Sequence, residues 1–409
     1  MSPSAEREPA PPDARRGKFD PLPDWVHPAT RLVHGARRPD ENAGAVVAPI
    51  YQTTTFHYPA PYSEAARSGK VYLYTRNENP TVEVAAELIR QLEGGQSARL
   101  FGSGMGATAA TLLSLLRPGH ELLALDTIYG GTIDLLQDLL GQYGIPIRWM
   151  SEETARSPER CVTAQTKLVW IESPTNPLLQ VHDLRRWVEA AHGVGACLVV
   201  DNTFANPINQ NPLALGADLV MHSATKYLGG HTDLSAGAIV GSEELLARID
   251  PKSLLGSVLD PFAAFLLARG MKTLSLRAAR QNANGAELAQ TFQGHPKIER
   301  VFYPGLGSPE AARIAEKQMH GRGGMVSVLV RGGRPAVHTL LRHLRLVHVA
   351  TSFGGVESLV SVPVETSHRF LTPVQLRDRG IAENLVRFSF GIEETEDLVR
   401  DVTEALDAI

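Results

Sequence analysis

The sequence predicts an α/β fold with a mostly parallel sheet that is covered by helices on both faces. Short apolar runs alternate with helical patterns from about residue 98 to residue 240, and this alternation is typical of such sheets. Polar residues fall at or just after the ends of these runs, namely Tyr129, Asn176, Asp201, Ser223 and Lys226. Because ligands of such sheets bind at the carboxyl ends of the strands, we expect one site there.

Composition narrows the functional class. The chain has 409 residues, 43% of them hydrophobic, and a formal net charge of −4. This length suggests two or three domains, and the absence of a basic run argues against nucleic acid and membrane surfaces as partners. No apolar run reaches the length of a membrane helix. Two cysteines, Cys161 and Cys197, are too few for a disulfide framework, so we expect a cytoplasmic protein.

The order of patterns along the chain predicts four segments. Residues 1–24 contain six prolines and no apolar core of a signal peptide, which predicts a disordered tail. Residues 25–70 form an N-terminal arm that we expect to be extended over 30–35 and 48–56 and to pack on a partner subunit. A large cofactor domain follows over 71–265 and a C-terminal domain over 266–409. The boundary lies within a long helix that is predicted over 263–280.

The loop after the arm carries Tyr74 and Arg76. These residues either anchor the loop by an ion pair or bind phosphate, since arginine presents a fork that matches phosphate oxygens. Thr81 is expected to cap a helix that ends at Gly94-Gly95. A second helix, alanine-rich, begins at the turn Gly102-Ser103-Gly104-Met105-Gly106. Free N–H groups at such a helix start bind anions, although these glycines also suit a tight turn without a ligand.

The centre of the chain supplies the remaining predicted strands of the large sheet and two of its helices. A helix is predicted from Thr132 to Leu140 and another from Asp183, whose stripe of apolar residues has helical spacing. The strands are predicted over residues 122–125, 145–149, 167–171, 197–201, 219–221 and 236–240.

Asp201 and Lys226 form the central candidate pair. Asp201 ends the apolar run that starts at Cys197, and a buried carboxylate is costly unless a positive group meets it. Lys226 follows Ser223 and Thr225 just past another apolar run. A lysine that forms a Schiff base and an acid that pairs with a pyridinium nitrogen are the protein groups that pyridoxal phosphate (PLP) requires. Taken alone, a lysine after a strand is usually a solvated surface residue, and a lone aspartate is usually part of a turn or an N-cap.

The C-terminal part alternates less regularly. Strands are predicted near 325–331, 346–350 and 386–391, and helices begin near Pro335 and Glu396. Residues 351–359 form a polar loop. Arg387 stands inside a strand pattern and is either an edge residue that reaches water or a clamp for a carboxylate.

Together the motifs resemble the Cys/Met-metabolism family of PLP enzymes, which includes cystathionine γ-synthase, cystathionine γ-lyase, cystathionine β-lyase, methionine γ-lyase and O-acylhomoserine sulfhydrylase. The resemblance runs from about Thr30 to the C-terminus. The motifs that carry it, in order, are Ala48-Pro49-Ile50-Tyr51-Gln52, Tyr74-Thr75-Arg76, Ser103-Gly104-Met105, Glu172-Ser173-Pro174-Thr175-Asn176-Pro177, Asp201-Asn202-Thr203, Ser223-Ala224-Thr225-Lys226-Tyr227, Arg269-Gly270-Met271-Lys272-Thr273-Leu274 and Phe353-Gly354-Gly355-Val356-Glu357-Ser358.

The resemblance implies the fold type I PLP-transferase architecture, with a seven-stranded cofactor domain and a smaller C-terminal α/β domain. It implies a homotetramer built as a dimer of dimers with active sites shared across the dimer, a small amino-acid substrate, PLP as cofactor and no metal site. The cofactor-binding residues that it implies are Tyr74, Arg76, Gly104, Met105, Tyr129, Asn176, Asp201, Thr203, Ser223, Thr225 and Lys226. The substrate-binding residues that it implies are Tyr74, Asn176, Thr351, Ser352 and Arg387.

Individual roles also follow from the resemblance. Lys226 holds the cofactor and acts as the general base, and Asp201 keeps the pyridine nitrogen protonated. The phosphate lies in a cup that includes Gly104, Met105, Ser223 and Thr225, and Tyr74 and Arg76 reach it from the neighbouring subunit. Tyr129 stacks on the ring and gives a proton to the leaving γ-substituent. Asn176 lies near the phenolic oxygen, and Arg387 with Ser352 binds the substrate carboxylate.

Two positions separate the family members. Many methionine γ-lyases carry a cysteine where this chain has Gly131, and γ-synthases and γ-lyases commonly carry a glutamate where it has Thr351. We predict a PLP-dependent carbon–sulfur lyase that performs α,γ-elimination on cystathionine or a related L-homocysteine-type substrate. The alternatives are γ-replacement on an O-acyl-L-homoserine, as in a γ-synthase or sulfhydrylase, a methionine γ-lyase, or an enzyme of specialised metabolism. An aminotransferase and a non-catalytic PLP carrier are hypotheses from other classes.

Overall fold

The computed structural model describes residues 19, 22–23, 25–36, 43–58, 72–249 and 256–409. Within these ranges twelve strands form two sheets with helices packed on them, so the predicted α/β class is confirmed. The predicted tail 1–24 lies almost wholly outside the described residues, and residues 250–255 lie outside them as well. No helix of the described part is long and apolar enough to cross a membrane.

The large sheet has seven strands in the order β1-β7-β6-β5-β4-β2-β3. Strand β7 pairs antiparallel with both of its neighbours and the other pairs are parallel, so the sheet is mostly parallel as predicted. Its strands are β1 Ser97–Phe101, β2 Glu121–Leu125, β3 Ile147–Met150, β4 Thr166–Glu172, β5 Cys197–Asp201, β6 Leu219–His222 and β7 Gly237–Gly241.

Helices cover both faces of the large sheet. In β7, Ile239 belongs to one apolar cluster and its neighbours Ala238 and Val240 belong to another. Because successive strand residues point to opposite faces, the two clusters lie on opposite sides of the sheet. The α-helices are Pro28–His34, Pro80–Glu93, Gly104–Leu115, Gly130–Asp134, Pro158–Cys161, Leu184–Gly193, Asn206–Asn209, Glu243–Arg248, Pro261–Met271, Leu274–Gly294, Pro309–Gln318, Gly333–His343, Pro373–Asp378 and Thr395–Asp407.

The second sheet has five strands in the order β10-β11-β12-β9-β8, so β12 lies at its centre. Val386 and Phe388 of β12 pack into an apolar cluster with residues of the helices Leu274–Gly294 and Thr395–Asp407. Arg387 lies between them and therefore faces the opposite side of this sheet. The strands are β8 Ile298–Phe302, β9 Met325–Val330, β10 His348–Val349, β11 Leu359–Ser361 and β12 Leu385–Ser389.

The N-terminal arm is not extended throughout. Residues 30–35 were expected to be extended, but Pro28–His34 forms a helix in which Leu32 is fully buried. Proline at the first position presets φ for a helix, and His27 Nδ1 accepts a hydrogen bond from Ala29 N at 3.2 Å. Residues 48–56 contain no helix, as expected, and Thr55 forms an isolated bridge with Tyr74.

The cap of the helix Pro80–Glu93 is Asn79 rather than Thr81. Asn79 Oδ1 accepts a hydrogen bond from Thr81 N at 2.9 Å, because asparagine is a strong N-cap and Pro80 then takes the first helical position. The Thr81 hydroxyl instead accepts a hydrogen bond from Tyr51 N at 2.9 Å and so ties the arm to the helix. The predicted stop is confirmed, since Gly94 has φ of 73°.

The long helix predicted over 263–280 is two helices, Pro261–Met271 and Leu274–Gly294. The Thr273 hydroxyl donates a hydrogen bond to Gly270 O at 3.1 Å, and Arg277 donates to the same carbonyl at 2.9 Å. Side chains therefore satisfy this carbonyl where the first helix ends. The domain boundary at 265–266 stays a prediction.

Candidate active site

A cavity of about 600 Å³ lies between the carboxyl ends of the parallel strands and the polar face of the second sheet. This size suits a cofactor together with a small substrate. Twelve of the residues predicted for the site line it, namely Gly104, Met105, Tyr129, Asn176, Asp201, Thr203, Ser223, Thr225, Lys226, Thr351, Ser352 and Arg387.

Tyr74 and Arg76 are the two predicted residues that the chain does not bring into its own cavity. Both are exposed, and the Arg76 guanidinium lies 5.3 Å from the centre of the Tyr74 ring. Their predicted contact with a cofactor in a neighbouring subunit stays a prediction.

Lys226 follows β6 and projects its amine into the cavity. The amine donates a hydrogen bond to Ser352 Oγ at 2.8 Å and lies 4.9 Å from the centre of the Phe353 ring. Burial, and then the positive charge of Arg387, lower the pKa of Lys226 to about 8. A neutral amine is the nucleophile and the base that Schiff-base chemistry requires.

This lowered pKa predicts the pH dependence of cofactor attachment. At pH 8 about half of the Lys226 amine is neutral, whereas a free lysine with its ordinary pKa is almost fully charged. We therefore expect the rate at which cofactor-free protein attaches PLP, as followed by absorbance, to rise with pH and to level off at about pH 9, one unit above this pKa. Free Nα-acetyl-lysine, measured in parallel, should keep accelerating to pH 10. A protein rate that also rises up to pH 10 would show that burial does not lower this pKa.

Asp201 is the last residue of β5 and is almost fully buried. Its Oδ1 atom accepts hydrogen bonds from Thr203 N at 3.0 Å and from Thr203 Oγ1 at 2.5 Å. Burial raises the pKa of Asp201, and these two hydrogen bonds oppose that rise. Since both bonds end on Oδ1, Oδ2 is left for a partner in the cavity. A protonated ring nitrogen is such a partner, because its charge stabilises the buried carboxylate.

An anion cradle lies beside this pair at the start of the helix Gly104–Leu115. Ser103 Oγ caps the helix by accepting a hydrogen bond from Gly106 N at 3.0 Å, and the amides of Gly104 and Met105 have no acceptor within the helix. A Cβ atom at Gly104 would lie 2.9 Å from Ser223 Cβ, so only glycine permits this close approach. These groups fit a phosphate, and with Lys226 they fit PLP.

Arg387 lies on the opposite wall and is 5% exposed. Its Nη1 atom donates a hydrogen bond to Asn176 Oδ1 at 2.7 Å and Nη2 donates to Ser361 Oγ at 3.3 Å. Burial lowers its pKa to about 10, so it stays charged at neutral pH. Of the two interpretations left open by the pattern, the edge residue is wrong, because β12 is the central strand. A buried guanidinium with oriented donors suits a carboxylate.

The loop that holds Ser352 is firmly positioned. Ser352 has φ of 86°, which is unusual for a residue other than glycine. Next to it, Gly354 N donates a hydrogen bond to Ser389 Oγ at 2.9 Å. A Cβ atom at Gly354 would lie 2.9 Å from Tyr227 N, so this turn also packs directly on the residue after Lys226. The loop therefore fixes the position of the Lys226 amine.

Sequence reasoning assigned no role to Glu172, which lines the same cavity. It ends β4 opposite Asp201 of β5, and its Oε2 atom accepts a hydrogen bond from Tyr129 N at 2.8 Å. Burial, and then the charge of Asp201, raise the pKa of Glu172 well above its usual value. The signal that identified Asp201, a carboxylate at the end of a buried strand, is also present at Glu172.

His368 was missed as well, and it lies next to the cavity. It is fully buried, and its Nδ1 atom lies 2.9 Å from Ser367 Oγ. Burial, and then the charge of Arg387, lower its pKa to about 4, so the ring is neutral near pH 7. No helical or strand pattern marked this position in the sequence.

The family model described as Cys/Met metabolism PLP-dependent enzyme matches residues 29–407. The chain belongs to this family. Its sequence is 41% identical over 386 residues to the L-methionine gamma-lyase of Pseudomonas putida. The alignment covers 93% of this chain and 97% of that one. It is 39% identical over 383 residues to the cystathionine gamma-lyase of Dictyostelium discoideum, covering 92% and 97% of the two chains.

A solved structure agrees with the fold of this Cys/Met metabolism enzyme. The cystathionine gamma synthase of Xanthomonas oryzae pv. oryzae, in complex with cystathionine, superimposes with a TM-score of 0.88 at 37% identity, covering 94% of this chain and 98% of that chain. The predicted fold type I architecture, PLP as cofactor and membership of the carbon–sulfur lyase and trans-sulfuration enzymes are confirmed. The substrate is an amino acid.

Proposed function

We propose that the enzyme catalyses α,γ-elimination from L-cystathionine or a related L-homocysteine-type amino acid. One observation carries the proposal. The amine of Lys226, with its pKa near 8, and the buried carboxylate clamp of Arg387 line the same cavity as the Tyr129 side chain. A base, a clamp and a hydroxyl donor are the protein groups that this elimination needs. Relatives named cystathionine gamma-lyase support the proposal.

The residues of the cavity divide into those that hold the cofactor and those that hold the substrate. Lys226 would bind PLP covalently, Asp201 would pair with its ring nitrogen, and Thr203 would position Asp201. Its phosphate would lie at Gly104, Met105, Ser223 and Thr225, with Tyr129 and Asn176 at the ring. When bound, PLP supplies an electron sink that stabilises negative charge at the substrate carbons.

The protein's own groups would then move the protons. Arg387, oriented by Asn176, would hold the substrate carboxylate and fix which bond at the α-carbon is broken. The Lys226 amine would carry the proton from the α-carbon to the electron sink that PLP supplies and, once neutral again, would remove one from the β-carbon. The Tyr129 hydroxyl would give a proton to the departing sulfur. Glu172 positions this tyrosine, since it accepts the hydrogen bond from Tyr129 N.

The active site would be completed by a neighbouring subunit in a homotetramer built as a dimer of dimers. Tyr74 and Arg76 support this arrangement because both are exposed and lie outside their own chain's cavity. Co-expression of Arg76→Ala with Lys226→Ala is expected to restore part of the activity that each variant lacks alone, because one mixed dimer site then contains both native residues. Absence of activity in purified mixed oligomers would contradict shared sites.

The γ-replacement reaction on an O-acyl-L-homoserine is the second candidate function, since it uses the same residues and differs in what attacks the intermediate. Purified, PLP-loaded enzyme would be given L-cystathionine, L-homocysteine, L-methionine, and O-succinyl- or O-acetyl-L-homoserine with and without L-cysteine. We expect 2-oxobutyrate from cystathionine or homocysteine. A new thioether formed only from the ester plus cysteine would favour replacement and overturn elimination as the main activity.

Gly131 bears on the methionine γ-lyase alternative. A Cβ atom at this position would lie 2.7 Å from Tyr129 Cε1 and 3.2 Å from Met105 Sδ. A side chain there would therefore push the Tyr129 ring. The glycine leaves the ring in the place that the structure shows, and the cavity differs here from one that carries a cysteine.

Thr351 lines the cavity without a charge. If it faces the far end of the substrate, Thr351→Glu is expected to raise kcat/KM for L-cystathionine relative to L-homocysteine about threefold or more, because a carboxylate attracts the distal ammonium. Thr351→Gln, which has the same length and no charge, is the control. An equal preference in both variants would show that Thr351 does not sense the distal group.

A further inference from the structure

A buried acid and base that the proposed mechanism does not use lie close to the end of β5. Glu93 is the last residue of the helix Pro80–Glu93, and His222 is the last residue of β6. The His222 Nε2 and Glu93 Oε1 atoms are 2.6 Å apart, and the two side chains are 1% and 0% exposed. Neither residue lines the cavity that would hold the cofactor. Any effect of this pair on the site must therefore pass through another group.

The hydrogen bonds of the pair place its shared proton on the His222 ring. Glu93 Oε1 already accepts a second hydrogen bond, from Asn202 Nδ2 at 3.0 Å. Glu93 Oε2 is buried and has no hydrogen-bond partner within the described part of the chain, so a proton on this oxygen would have no acceptor. A buried carboxylate is costly unless a positive group meets it. An imidazolium ring at 2.6 Å is such a group.

Glu93 joins the ends of two neighbouring strands. In the parallel pair of β5 and β6, Asp201 lies opposite Met221, so His222 lies one residue further along. Asn202 directly follows Asp201, and it donates to the same Glu93 oxygen that His222 contacts. One carboxylate oxygen therefore holds the residue after Asp201 and the last residue of the adjacent strand.

A second set of contacts leads from His222 to the Asp201 carboxylate. Ser223, which directly follows His222, donates its backbone N–H to Thr203 Oγ1 at 2.9 Å. The same hydroxyl donates to Asp201 Oδ1 at 2.5 Å. Burial raises the pKa of Asp201, and the charge of His222, after the two Thr203 hydrogen bonds, opposes that rise. The imidazolium thus favours the ionised form of Asp201.

We propose that His222 and Glu93 are positioning residues that keep Asp201 ionised and thereby keep the ring nitrogen of PLP protonated. Glu93 holds the positive charge on the imidazole ring, and this charge stabilises the Asp201 carboxylate. The inference rests on the proposed pairing of Asp201 with the ring nitrogen. It holds for elimination and for replacement alike, because a protonated ring is the stronger electron sink for both reactions.

The test compares PLP with 1-deaza-pyridoxal phosphate, in which a C–H group replaces the ring nitrogen. Glu93→Gln removes the charge and keeps an oxygen that can accept from Asn202 and His222. The preference of the cofactor-free protein for PLP over the deaza analogue is expected to fall about tenfold, since Asp201 then takes up a proton more readily and the analogue has no ring proton to lose. Both dissociation constants are measured by absorbance titration.

Two further variants make the comparison specific to the charge. Glu87→Gln is the matched control, since Glu87 lies on the same helix and pairs with Arg90; it should keep the wild-type preference. The double variant Glu93→Gln/His222→Gln replaces the pair with two neutral amides and provides the same comparison if the single variant does not fold. Its preference should equal that of Glu93→Gln, because the charge is already absent there.

The two cofactors separate an effect of charge from an effect of shape. A preference within twofold of wild type in Glu93→Gln would overturn the inference, even if both cofactors bound more weakly, because the pair would then act only on the shape of the site. A double variant that regained the wild-type preference would also overturn it. Wild-type protein that bound both cofactors equally well would instead overturn the pairing of Asp201 with the ring nitrogen.

Discussion

Lys226→Ala is expected to lower the rate of 2-oxobutyrate release by about 10²- to 10⁴-fold, the usual effect of losing a positioned proton carrier. The variant should also lose the visible absorbance of lysine-bound PLP. Both effects follow because this one amine, held by Ser352 at 2.8 Å, would attach the cofactor and carry the protons. Alanine provides neither a nucleophile nor a base. Absorbance and turnover are measured on the same PLP-saturated preparations.

The matched control is Lys167→Ala, which removes an exposed lysine from β4 on the same large sheet. This variant should keep the absorbance and the rate of the wild-type enzyme. A Lys226→Ala protein that remained folded and eliminated at the wild-type rate would contradict the mechanism, because another group would then have to move both protons.

Arg387→Lys is expected to lower kcat/KM for every amino-acid substrate by about 10- to 100-fold, mainly through KM. Lysine keeps the positive charge but loses the planar fork that binds a carboxylate with two parallel hydrogen bonds. It also cannot keep both contacts that orient the guanidinium, at 2.7 Å to Asn176 and 3.3 Å to Ser361. Because all these substrates share the α-carboxylate, the loss should not depend on the γ-substituent.

Arg300→Lys is the control for this variant, since Arg300 is an exposed arginine of β8 at the edge of the same sheet. Thermal unfolding is measured for both variants, because Arg387 is buried in the central strand. Unchanged KM values in a folded Arg387→Lys protein would show that Arg387 does not bind the substrate carboxylate.

The positions of Asp201 and Lys226 could be predicted from the sequence because the physics is local. Each follows a buried apolar run, and the ends of parallel strands meet at one edge of the sheet. The strand bounds agree within two residues for all six predicted strands of the large sheet, β2 to β7. The order of strands in a sheet, however, depends on contacts between distant parts of the chain. The two interpretations of Arg387 were separated by the central position of β12 in its sheet.

The sequence also could not reveal which charged residues line the same cavity. Asp134 and Arg369 are 235 positions apart in the chain, and nothing in their neighbourhoods predicts a common cavity. The short helix Pro28–His34 and the break after Met271 were missed for a related reason, since caps and side-chain contacts decided them over too few residues for a periodic pattern. Glu172 is different. It is a carboxylate at the end of a buried strand, so the pattern that identified Asp201 was present in the sequence but was not used.

The identity of the products from L-cystathionine tests the central claim most directly. We predict that purified, PLP-loaded enzyme converts L-cystathionine into 2-oxobutyrate, L-cysteine and ammonia in equal amounts, since elimination at the γ-carbon releases the sulfur on the cysteine side. Formation of pyruvate and L-homocysteine in place of these products would show elimination at the β-carbon and would contradict the proposed function.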